Sequence, residues 1–160
     1  SSALAAYIKR NGLTPGRDIV FLISSDANHY GEDFSNVPFG EDRQAHARAT
    51  ALDRSIVQEC LTGPLNDEKI ESFTRFTWGK TYADQGETVW CGKYSIPMGL
   101  MTIRRTMAAL SGKQVRAFCL RYSDTYTEGV LPLRDTGMGT TAPFSLKHWV
   151  GFTSIGLTTE

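Results

Sequence analysis

The stretch DIVFLISSDANHYGEDF, residues 18–34, limits what this chain can fold into more than any other. Ile19, Val20, Phe21, Leu22 and Ile23 form an unbroken apolar run. A run of that kind predicts a strand covered on both faces, as in a sheet with helices on either side. From residue 24 to 31 the composition then turns over to SSDANHYG, rich in polar side chains. In open α/β sheets the ligand crevice lies beyond the carboxyl ends of the strands. One segment thus predicts both a layer of the fold and the wall of a pocket.

The rest of the sequence supplies helices for such a layer. Leu4, Ala5, Tyr7 and Ile8 have helical spacing, stopped by Asn11-Gly12. A second helix is expected from Asp42 to Leu61, with Ala45, Ala49, Leu52, Ile56 and Val57 on one side and Gly63-Pro64 beyond its end. NDEKIESFTRFTW reads as a third, capped by Asn66 or Asp67. SIPMGLMTIRRTMAAL reads as a fourth, capped by Ser95 with Pro97 in its first turn and Gly99 allowing close packing. QVRAFCLRYS and LKHWVGFTSIGL have the composition of strands, whereas GKTYADQGET and residues 124–143 read as loops. Helices alternating with strands, without repeats, predict one α/β domain over residues 1–160: a layered sandwich with a mixed sheet flanked by helices. Three clear strands are few for such a sheet, and the chain opens SSALAAYIKRNG without Met, so we expect part of the fold to lie outside it.

Charge narrows the partners. Seventeen basic residues balance seventeen acidic ones, which gives neither the basic footprint of a nucleic-acid-binding domain nor a polybasic membrane surface. No apolar run reaches the ~20 residues of a membrane span. Three cysteines, Cys60, Cys91 and Cys119, are too sparse for a disulfide framework and lack zinc-ribbon spacing, so a reducing, cytoplasmic setting is expected.

Two constellations carry possible chemistry. Asp26 and His29, three residues apart after the apolar run, place a carboxylate and an imidazole in one cavity, where His29 can act as general acid or base. The competing interpretation is a strand end whose Ser and Asp satisfy backbone donors, with His29 on the surface. Cys91, between Trp90 and Gly92, lies ahead of the expected fourth helix, where the helix end and Lys93 favour a thiolate. A thiolate there is a nucleophile or a soft metal ligand, against the alternative of a buried cysteine that packs like alanine. Cys60 and Cys119 are expected in the core, and His46 and His148 in structural roles. Trp78, Tyr82 and Trp90 are expected to form core or pocket wall, and TGMGTT lacks the lysine of a phosphate loop.

Taken in order, ISSDANHYG, WCGKYSIPMGLMTI, VRAFCLRYSD and VGFTSIGL resemble the C-terminal half of the Memo family, whose bacterial members are named protein B of the AmmeMemoRadiSam system. The resemblance covers nearly the whole chain. It implies the α/β fold shared with class III extradiol dioxygenases, with the N-terminal half absent. It also implies that Cys91 is a ligand to copper or iron and that His29 matches the dioxygenases' acid–base histidine, with Asp26 in the same pocket. The family's site takes two further histidines from that N-terminal half, which becomes an expected partner; His46 and His148 do not fall in the corresponding motifs. The expected function is a metal-binding, redox-type protein. The alternatives are a non-catalytic module that binds a small molecule or a protein in the same pocket, and a metal-free Cys–His hydrolase or transferase.

Overall fold

The computed structural model describes residues 1–78, 90–129 and 144–159. Its elements in chain order are α1 (Ser2–Arg10), β1 (His29–Gly31), α2 (Arg43–Cys60), β2 (Gly63–Pro64), α3 (Asp67–Trp78), α4 (Ser95–Ser111), β3 (Val115–Asp124), α5 (Thr125–Glu128) and β4 (His148–Thr159). The expected loop GKTYADQGET, Tyr82, TGMGTT and the side chain of Trp78 lie outside the described residues.

Local chemistry fixes several helix ends. Asp42 caps α2 by accepting a 2.7 Å hydrogen bond from the Ala45 N–H, and Asn66 does the same for the Lys69 N–H at 2.9 Å. These side chains satisfy amides that have no partner inside their helix. Ser95, by contrast, is not a cap. The chain enters α4 from a 3-10 turn, Cys91–Lys93, through Tyr94 in the helical region, so Ser95 is already helical and makes no capping bond.

The sheet has the order β1-β4-β3-β2, and every described ladder in it is antiparallel, where a mixed sheet was expected. The mixture of helices and strands is as expected. Ile56, Val57 and Cys60 of α2, Ile70 and Phe73 of α3, and Leu100 and Ile103 of α4 form one core with Val115, Ala117 and Tyr122 of β3. A smaller cluster centres on Tyr30 and Trp149, whose rings stack at 4.9 Å. Among the described residues, no helix is long and apolar enough to cross a membrane.

Two further sequence expectations are corrected. Residues 19–24 are not a strand of the sheet and are not buried on both faces. Exposure alternates residue by residue, with Val20 82% and Leu22 87% exposed. Ile23 points the other way and packs so closely on α4 that a Cβ on Gly99 would stand 2.6 Å from its Cγ1, which accounts for the glycine. An apolar run alone does not provide the neighbouring strand that a ladder requires, and here only the α4 side is covered. The uncovered part borders an apolar groove of about 650 Å³ between this segment, α4 and the far half of β4. Cys119 is likewise exposed rather than in the core. The β3–β4 register shifts between Cys119 and Arg121, which interrupts the alternation expected of a regular strand. Cys60 is buried as expected.

Candidate functional site

The site is built where residues 26–28 run between β4 and the turn that carries Cys91. On one side the Ala27 N–H bonds to the Gly151 carbonyl at 2.8 Å, and the Gly151 N–H to the Asn28 carbonyl at 2.7 Å. On the other side the Cys91 N–H bonds to the Ala27 carbonyl at 3.0 Å, and the Gly92 N–H to the Asp26 carbonyl at 3.1 Å. These bonds lay the Cys91 turn against the Asp26–His29 segment. Gly92 makes the approach possible, because a Cβ there would stand 2.7 Å from Ser25 Oγ and would overlap the Ile96 side chain.

The sequence singled out three residues from two distant segments, and the fold brings all three together. Ligand atoms of Asp26, His29 and Cys91 all lie within 4.8 Å of one another. His29 Nε2 stands 3.3 Å from Asp26 Oδ2. Asp26 and Cys91 are exposed and His29 is partly buried, so Cys91 is not the alanine-like core cysteine of the competing interpretation. Among the described residues no hydrogen bond links Cys91 Sγ to His29, so the contact that a Cys–His nucleophile needs is not made.

The imidazole is held in place from below and from the side. Asn36 donates to the His29 carbonyl at 2.6 Å and to Asn28 Oδ1 at 2.8 Å. Phe34 meets the His29 ring at 4.8 Å in an edge-on contact and the His148 ring at 4.9 Å in a tilted one. His148 is itself paired with Asp33, Nδ1 to Oδ2 at 3.1 Å. His46 is remote in role: its Nε2 lies 3.2 Å from Asp124 Oδ1, near enough for an ion pair but without hydrogen-bond geometry. Its ring abuts Tyr126 and Trp149. Both histidines thus have structural partners.

Behind the site lies a buried carboxylate that the sequence reading passed over. Asp53 of α2 is fully buried. Trp90 Nε1–H donates to its Oδ1 at 2.9 Å, and the Tyr122 hydroxyl donates to its Oδ2 at 2.6 Å. Gly151 leaves room for this pair, since a Cβ there would come 3.0 Å from Asp53 Oδ2 and 2.9 Å from the Tyr122 oxygen. A signal was present: Asp53 occupies the same helical stripe as Ala49, Ile56 and Val57, where a carboxylate needs partners to be tolerated.

Burial pushes the Asp53 carboxyl from its ordinary value of 3.8 up to about 7, against the hydrogen bonds from Tyr122, Trp90 and Asn28 that pull it down. Burial first, and the Asp53 charge second, also push the Tyr122 phenol well above its usual range. The folded chain therefore holds the Asp53 proton between about pH 4 and 7, where the unfolded chain has released it. Stability from this group is full below about pH 4, falls as pH rises towards 7 and is then flat. At about 1.4 kcal/mol per pH unit of separation the whole effect is on the order of 4 kcal/mol. The stability difference between wild type and Asp53→Asn, measured by urea unfolding across that window, is expected to shift against wild type as pH rises. Parallel curves would contradict the assignment.

No protein-family model matches the chain, and no curated protein sequence does. The case for function accordingly rests on the site and on the motifs.

Proposed function

We propose that this chain is a Memo-like protein that binds a redox-active transition metal, copper or iron, through Cys91, with His29 and Asp26 as the proton-handling pair beside it. The observation that carries the reading is the convergence of Asp26, His29 and Cys91 within 4.8 Å. First-row ions take thiolate donors at about 2.3 Å, so an ion on Cys91 Sγ lies beside the Asp26 and His29 side chains.

A thiolate with an imidazole is a softer donor set than the carboxylate and histidines of an extradiol dioxygenase, and it favours copper or related ions over Fe(II). When bound, such an ion supplies one-electron chemistry and Lewis acidity. Cys91 is placed for it by the two backbone bonds that fasten its turn. His29 and Asp26 hold a proton between Nε2 and Oδ2, beside the thiolate, where a bound molecule can exchange it. By the resemblance, two further imidazoles come from an N-terminal half as partner. The open Ile19–Ser25 segment, with Val20 and Leu22 exposed, is consistent with a missing neighbour.

Loading the full chain with copper or iron, removing free ion and measuring retained metal tests the reading. Wild type is expected to retain metal, Cys91→Ala to lose it, and His29→Ala to bind at least ~10-fold more weakly. Equal retention in wild type and Cys91→Ala would overturn the proposal. The apolar groove beside the site favours a second reading, a non-catalytic binding module. Ligand capture that survives the double variant His29→Ala, Cys91→Ala, with no turnover of catechols, would select it.

A further inference from the structure

The Asp26–His29–Cys91 site is assembled from two strips of backbone, and one buried side chain holds both. Trp90, whose indole bonds to Asp53 Oδ1 at 2.9 Å, immediately precedes Cys91. Asn28, whose side chain lies near enough to the Asp53 carboxyl to lower its pKa, immediately precedes His29. Asn28 and Trp90 face each other as an antiparallel bridge. The second carboxylate oxygen takes the Tyr122 hydroxyl at 2.6 Å, which ties the same group to β3.

We propose that Asp53 is a positioning residue of the metal site, a buried clamp between α2 and the two strips that sets the separation of Cys91 from His29 and Asp26. The proposal rests on the functional reading given above. A carboxylate suits the task because it accepts from several donors at once, and in a buried setting such bonds are strong and directional. An apolar residue of the same size would fill the space and leave the Trp90 N–H and Tyr122 O–H without acceptors. The titratable and charged groups facing Asp53 are Tyr122 and Asp124, with Arg54 against the Tyr122 ring. Asp124 already accepts from the Thr127 N–H and hydroxyl, each at 2.8 Å.

Groups that orient metal ligands typically cost 10–100-fold in affinity when changed. Titrating the full chain with cobalt(II) is therefore expected to show Asp53→Asn binding at least ~10-fold more weakly than wild type, with an altered absorption spectrum. Trp90→Phe, which keeps an aromatic ring against Phe73 but loses the indole N–H and part of the ring volume, is expected to move the same way by less. Ile8→Ala, a core change in α1, serves as a control of lowered stability and is expected to leave affinity and spectrum unchanged. A second readout does not need metal: mass-mapped alkylation of Cys91 is expected to run several-fold faster in Asp53→Asn as its turn loosens.

Folded Asp53→Asn and Trp90→Phe that match wild type in both readouts would overturn the clamp. So would an equal affinity loss in Ile8→Ala. If wild type binds no cobalt, the functional reading fails, and alkylation alone decides the role of Asp53. If Asp53→Asn does not fold, Trp90→Phe decides it.

Discussion

Trp90→Ala is expected to lower the unfolding free energy by about 3–5 kcal/mol, the range for truncating a large buried aromatic. Two separate side-chain contacts are lost at once. The ring is fully buried and meets Phe73 edge-on at 5.4 Å. Its N–H is one of the donors that keep the Asp53 carboxylate satisfied. Its backbone pairs with Asn28 and leads directly into Cys91. Removing the indole opens a cavity and strips a hydrogen bond from a buried acid, which accounts for about 1–3 kcal/mol of that total when no water replaces it. Trp90→Phe separates the two costs, since it keeps most of the volume. Urea unfolding followed by circular dichroism measures both variants. A Trp90→Ala loss under ~1 kcal/mol, below the usual range for such truncations, would mean that the ring does not sit in the core as described.

Gly92→Val is expected to remove metal binding while leaving most of the fold in place. Even a single Cβ at this position would stand 2.7 Å from Ser25 Oγ and would overlap Ile96; the branched side chain adds two more atoms. Ile96 has some freedom to move, but the turn must also withdraw from the Asp26 segment. The Gly92 N–H to Asp26 carbonyl bond, 3.1 Å long, is the contact that suffers. Overpacking of this kind costs about 1–3 kcal/mol, which a domain of ordinary stability survives. The metal site does not survive it, because Cys91 is pushed away from His29 and Asp26, which lie on the other segment. Copper or iron retention that equals wild type in a folded Gly92→Val chain would contradict the geometry.

The parts of the fold that were legible in the sequence are those decided within a few residues. Asn66 announces α3 because a capping side chain needs only the next turn of its own helix. Gly99 signals close packing because a missing Cβ has a local meaning. Residues 19–24 mislead because an apolar run states a preference for burial but does not supply the neighbouring strand. Cys119 misleads because a register shift in β3 depends on its pairing with β4, far along the chain. Ser95 has the composition of a cap, but the preceding 3-10 turn makes it helical already.

The candidate site was legible to a different depth. Asp26, His29 and Cys91 could each be picked out by residue type and setting, and the motif resemblance joined them. That their donor atoms meet is a tertiary fact, produced by backbone pairing of 26–28 with both β4 and the Cys91 turn. Asp53 lay in plain view on the apolar stripe of α2. Its meaning depended on Trp90 and Tyr122, residues that nothing in the helix sequence points to.

Cobalt(II) absorption is the most direct test of the central claim, that Cys91 is a metal ligand beside His29 and Asp26. Thiolate coordination gives a near-ultraviolet charge-transfer band that nitrogen and oxygen donors do not give. The band is expected in wild type, in Cys60→Ser and in Cys119→Ser, and is expected to vanish in Cys91→Ser. A wild-type chain that takes up cobalt without the band, or a Cys91→Ser chain that keeps it, would contradict the account.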